Sequence, residues 1–235
     1  MKLIYVLGGV PAILCCFSCK SVHTITQLPA DTYFILTKKY SILDSGLVQH
    51  LSGKKIIADV MQYDSILSVF PQDTRLKPLK VTLKDNKELT MFRYTFDIDI
   101  LTIPFKVRPS VRGFPGQLNP NFSAALYFGR RRDNYSVRRL RSNHSSKLKF
   151  SGVGYGYGAF IGIGSVTMNP FVTRQKIDYE YDGFVFNSGV AGIYDAKKFN
   201  IGLAFGADFL MDKNRKDWIY QSKPWFGLLF GINLN

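Results

Sequence analysis

The chain has 235 residues, a net charge of +14, 14% aromatic residues, and 20 glycines against 10 prolines, a balance that suits an all-β protein with many turns and argues against a helical one. Its three cysteines lie at positions 15, 16 and 19, which excludes a disulfide framework in everything that follows Cys19. The basic excess points to anionic partners, without separating nucleic acid from phospholipid or lipopolysaccharide phosphate.

Lys2 is followed by an apolar run from Leu3 to Phe17, interrupted by Gly8, Gly9 and Pro11. The run is short for a membrane span and has no basic stop-transfer flank, so residues 1–18 read as an export signal peptide. It ends in Phe17-Ser18-Cys19-Lys20-Ser21. A small residue before a cysteine at the end of such a run resembles the lipobox of bacterial lipoproteins. The resemblance implies lipidation of Cys19, with Cys15 and Cys16 as rival acceptors. Residues 19–53 then read as a lipidated tether and lead-in segment, with a short apolar burst at Tyr33 to Leu36. Leu43, Leu47 and Leu51, at i, i+4 and i+8, predict a short amphipathic helix over 42–51.

Residues 54–63 and 64–70 fit both the helical and the strand period. Beyond them Leu79, Val81 and Leu83 alternate with Lys80, Thr82 and Lys84, and Asp85-Asn86-Lys87 supplies a tight turn. The next strand sets Phe92, Tyr94, Phe96, Ile98 and Ile100 against Arg93, Thr95, Asp97 and Asp99. A Pro- and Gly-containing loop covers 108–120. Phe122, Ala124, Leu126 and Phe128 mark another strand, which a basic connection over 130–149 follows.

Ser151 to Met168 carries no charge, and its large residues Val153, Tyr155, Tyr157, Ile161 and Ile163 alternate with a nearly bare glycine face. Six glycines in a helix would each cost about 1 kcal/mol relative to alanine, so this is a long strand. Gly154-Tyr-Gly156-Tyr-Gly-Ala159 meets a relaxed dinucleotide-binding pattern, but no helix opens after it, so no cofactor is expected. A polar loop over 169–182 precedes a strand over 183–194, whose alternation slips at Ser188-Gly189 and predicts a bulge there. Strands over 201–209 and 226–234 complete the series, separated by a charged turn at 211–217.

Across these strands the face opposite the large apolar residues is mostly Gly, Ala, Ser and Asn, and the charges gather in the connections. A soluble strand would carry a hydrated outer face along its length; a transmembrane strand turns its apolar face to lipid. The expectation is an all-β fold, an antiparallel up-and-down transmembrane β-barrel of about eight strands over 54–235. Strands at 54–63 and 77–84 would complete the eight, because unpaired edges are not tolerated in lipid. The abundant glycine would leave some room inside, enough for a narrow polar channel.

The signal ending in Phe17-Ser18-Cys19, the glycine-aromatic strands and the terminal Trp225-Phe-Gly-Leu-Leu-Phe-Gly-Ile-Asn-Leu-Asn235 resemble small outer-membrane β-barrel proteins of Gram-negative bacteria. The resemblance is one of pattern, covers roughly residues 76–235, and departs from the family in ending without a terminal aromatic residue. It implies location in the bacterial outer membrane, envelope lipids as partners, and a structural or binding role. A soluble periplasmic β-barrel lipoprotein binding an apolar ligand is the alternative reading, and a lipid-modifying barrel enzyme the third.

No catalytic or metal constellation stands out. His23, His50 and His144 are far apart, and no orienting acid can be assigned to His144. Asp97 and Asp99 share a face and are expected to form interior ion pairs with Arg93 or other arginines. Arg130, Arg131, Arg132, Arg138, Arg139, Arg141, Lys147 and Lys149 fall within twenty residues, with Asp133 the only acid. They form a candidate patch for lipopolysaccharide or another anionic envelope polymer. Tyr135 alone among them could stack on a base, so nucleic acid is not expected as a partner.

Overall fold

A computed structural model describes residues 23–25, 27–36, 55–63, 66–81, 88–111, 113–142, 145–195 and 200–232. The signal peptide, Cys19, the helix expected over 42–51, the turn at 85–87 and His144 lie outside the described residues.

The described residues form an all-β, antiparallel structure of 12 strands in one sheet. In chain order they are β1 (His23–Ile25), β2 (Asp31–Leu36), β3 (Lys55–Tyr63), β4 (Ile66–Pro71), β5 (Leu79–Val81), β6 (Glu88–Arg108), β7 (Gln117–Asn119), β8 (Ser123–Ser142), β9 (Ser145–Met168), β10 (Tyr181–Asp195), β11 (Asn200–Leu210) and β12 (Pro224–Ile232). From β8 onward each strand pairs with the next, and β12 pairs back onto β6, which also pairs with β8. The path β6-β8-β9-β10-β11-β12 therefore returns to its start.

The two weakly patterned strands expected to complete an array of eight are present only as β3 and β5. They lie outside this cycle, reached through β2. The physical reason is β2, which carries the Tyr33-to-Leu36 burst. It meets β6 through Phe34↔Phe92 and Ile35↔Met91 and carries β3, β4 and β5 away as a side sheet. The first half of β6, the end of β8, the start of β9 and β1 extend the same sheet beyond the cycle. Leu28, Tyr33, Ile35, Val60, Leu67, Leu89, Met91, Tyr135, Val137 and Phe150 form its buried cluster. Tyr33 and Tyr135 meet edge-on at 5.6 Å, and the Tyr33 hydroxyl donates to the Pro29 carbonyl. Burial, with Tyr135 alongside, pushes the Tyr33 phenol above its ordinary range.

Strand β6 runs on through Pro104 to Arg108. It continues because the register with β12 shifts between Leu228↔Phe105 and Phe230↔Thr102, leaving an extra β6 residue beside the proline. The basic stretch 130–149, expected as a connection, instead forms the arms of the long β8–β9 hairpin, paired from Ser123↔Gly164 to Ser142↔Ser145. The bulge expected at Ser188-Gly189 is absent, since both neighbours pair there in unbroken register.

The strands run between two ends. At the first lie the side sheet, the end of β8 with the start of β9, and the end of β10 with the start of β11. At the second lie the loops 109–122, 169–180 and 211–223. Val166, Met168, Val172, Ile177, Val185, Leu210, Trp218, Ile219 and Tyr220 close this second end as an apolar cluster. The Ile219 amide donates to the Val172 carbonyl at 3.0 Å and ties two of the loops together.

Candidate functional site

Strand alternation sorts the cycle into an inner and an outer face, with large apolar side chains on the exposed one and charges on the buried one. Outside, β6 presents Phe96, Ile98, Ile100, Phe105 and Val107, all exposed. Exposed large apolar side chains continue around the cycle: Leu126 and Phe128 on β8, Ile161 and Ile163 on β9, and Phe184, Phe186 and Val190 on β10. Leu203 and Phe205 on β11 and Phe226, Leu228 and Phe230 on β12 close the belt. Phe205 and Phe226 pack across β11–β12 with ring centres 5.0 Å apart. A contiguous apolar surface this large is unusual on a soluble monomer.

Inside, the charged residues of the same strands are buried. Lys106 and Arg108 are each 2% exposed, and Asp208 is fully buried between them. Lys106 Nζ donates to Asp208 Oδ1 at 2.8 Å, and Arg108 donates to the other carboxylate oxygen. Trp225 lies 4.6 Å from Lys106 Nζ, while Trp218 and Tyr220 flank the Arg108 guanidinium at 5.4 and 5.7 Å. Nearer the first end, Arg131 bridges Asp133 and Asp195, and Arg93 bridges Asp31 and Asp133. Asn200 donates to the buried Asp99 at 2.7 Å. Arg93 is thus an ion-pairing residue of the inner face, with Asp31 and Asp133 as partners.

Between the two charged layers Leu101, Ile103, Tyr127, Phe160, Ile193, Trp225 and Leu229 pack into one cluster. The inner glycines do not leave the room expected of them. A Cβ at Gly206 would lie 2.7 Å from the Ser188 carbonyl oxygen and 2.8 Å from the Trp225 ring, and one at Gly158 would run into the Phe128 carbonyl. Glycine is needed because the backbone and large rings of the neighbouring strands approach this closely.

The eight cations of the basic stretch are not one patch. Alternation turns Arg130, Arg132, Arg138 and Lys149 to the outer face and Arg131 and Arg139 inward. Arg132 lies 4.2 Å over Phe92, Arg130 6.0 Å over Tyr94, and Arg138 pairs with Glu88 at 3.1 Å. Arg141 and Lys147 occupy hairpin positions opposite Ser146 and Leu140, and their side chains lie outside the described residues. Arg130 and Arg132, with Tyr94, Tyr155 and Tyr157, therefore stand as a basic and aromatic rim at the first end of the apolar belt.

The Lys106–Asp208–Arg108 cluster is the feature that sequence reasoning missed. Its signal was available: two cations at i and i+2 share a strand face, and Asp208 is the only charge among the small residues of β11. Comparison of the chain with family models, curated proteins and solved structures finds no match in any of the three.

Proposed function

We propose that the chain is a small outer-membrane β-barrel protein of the bacterial envelope, anchored by a lipidated N-terminus and serving a structural or binding role. One observation carries the reading: exposed aliphatic and aromatic residues form the outer belt, and paired charges fill the inside. Facing water, the belt would forgo about 25 cal/mol for each Å² of apolar surface left uncovered. Facing lipid it is at no disadvantage, and a closed ring satisfies every backbone amide within the hydrocarbon. Strands β11 and β12, of 11 and 9 residues, match the 9–11 that a tilted transmembrane strand needs.

Six strands are fewer than the eight of the smallest barrels usually described. A ring so narrow has its interior filled by side chains. Trp225, Phe160 and Tyr127 occupy the middle of this one, which supports a binding or structural role over conduction. The same filling weighs against an apolar ligand held inside a soluble barrel. Arginine and tyrosine at the first end of the belt suit the headgroup level, where long cationic side chains keep their heads in water.

The N-terminus fits the anchor. β1 pairs His23 with Gly152, and from Gly154 onward that edge of β9 is taken by β10. Cys19 is four residues upstream of His23, a reach of about 14 Å at most. An acyl group on Cys19 would therefore lie within that reach of His23, at the first end of the belt.

Carbonate washing of cell envelopes tests the reading. The Cys19→Ala variant should stay in the membrane pellet, because the barrel holds it without the lipid. Release of that variant into the supernatant would favour the soluble lipoprotein instead.

A further inference from the structure

At the second end, Val111, Arg174, Lys176, Lys216, Asp217, Trp218, Ile219, Gln221 and Lys223 line a cavity of about 310 Å³. Four of the nine are cations and one is an acid. Asp217 is paired with Lys176, while Arg174, Lys216 and Lys223 have no ion-pair partner among the described residues. Below its floor, Trp218 lies against Arg108, whose buried cluster of two cations and one carboxylate adds a further net positive charge. Like charges gathered on one concave surface repel one another, and an anion relieves that repulsion.

The backbone around the cavity is held in a conformation it would not choose alone. The described residues other than glycine with positive φ are Arg174 (54°), Gln175 (61°) and Ser222 (55°), two of them consecutive, and all belong to or adjoin this cavity. Such a backbone conformation is disfavoured for a residue with a Cβ and persists only where its surroundings impose it. Here they do so. The Gln175 amide donates to the Pro170 carbonyl at 2.7 Å, the Ser222 amide to the Asp208 carbonyl at 3.0 Å, and the Thr173 hydroxyl to the Asn169 carbonyl at 2.8 Å. The cations are thus presented from fixed loops, a preorganised arrangement of the kind that binding sites use.

We infer that this cavity is a binding site for a phosphorylated ligand, with Arg174, Lys216 and Lys223 as the phosphate-contacting residues. Guanidinium and ammonium groups give phosphate its strongest hydrogen bonds. The cavity is larger than a bare phosphate, which leaves room for a phosphate carrying a further group. The inference does not depend on the membrane reading, because the loops that form the cavity lie beyond the apolar belt.

Isothermal titration of inorganic pyrophosphate into the full-length protein in neutral detergent should give saturable one-to-one binding. Lys216→Gln with Lys223→Gln should weaken it about a hundredfold, one tenfold step for each lost charge-assisted contact. Lys80→Gln, on β5 at the opposite end, should leave it unchanged. Competition by vesicles of phosphatidylethanolamine doped with a phosphorylated glycolipid, but not with its dephosphorylated form, would identify a lipid headgroup as the source. Failure to compete would identify a soluble phosphate ester. Absence of saturable binding overturns the inference, and so does equal binding by the double variant. Gel mobility of the unboiled double variant shows whether it has folded.

Discussion

At the scale of the residue, burial of charge decides the most. Asp208 accepts from both Lys106 and Arg108 in a site closed to solvent. Asp208→Asn keeps the shape and removes the charge, leaving two cations buried without an anion. That change should cost about 3–5 kcal/mol, read as a lowered urea midpoint of the folded protein. Lys106→Met in the same background should recover part of the loss. The glycines offer a paired comparison. Gly206→Ala places a methyl group against the Trp225 ring and the Ser188 carbonyl and should cost about 1–3 kcal/mol. Gly192 has open space around its Cβ position, so Gly192→Ala should stay within about 0.5 kcal/mol of the parent protein.

At the scale of the element, the strands of the cycle were legible because period-two alternation is strong in them: Phe226, Leu228 and Phe230 against Gly227, Leu229 and Gly231 leave little choice. The basic hairpin was not legible. Arg130-Arg131-Arg132 reads as a solvated turn when only composition is considered. The strand separates these residues, sending Arg131 to Asp133 and Asp195 and its neighbours to Phe92 and Tyr94. Nothing in the local sequence announces Asp195 as a partner sixty-four positions away. β2 was missed for another reason, since Tyr33-Phe34-Ile35-Leu36 is apolar on both faces and shows no alternation. The outer face of β11 can be tested by itself. Phe205→Arg, near the strand midpoint, should destabilise the vesicle-inserted protein by about 2–4 kcal/mol, whereas Lys213→Gln in the adjoining loop should have no measurable effect.

At the scale of the whole molecule, the two ends are chemically distinct. The first carries the side sheet and β1, which places it on the periplasmic side in the proposed reading. The second carries the three loops and the cationic cavity, which then face outward. With Cys19 the only other cysteine retained, a cysteine placed at Lys216 should react with an impermeant maleimide on intact cells. One at Lys149 should react only after the outer membrane is permeabilised. The reverse pattern would invert the orientation.

The central claim is that the belt running from Phe96 to Phe230 faces hydrocarbon. The most direct measurement dilutes the urea-unfolded, signal-free chain into phospholipid vesicles and, in parallel, into plain buffer. Circular dichroism and the mobility of the unboiled protein on a gel are followed in both. The account predicts β-structure and a heat-dependent mobility shift in vesicles, with aggregation in buffer. A monomer that folds to the same β-structure in buffer alone would contradict it.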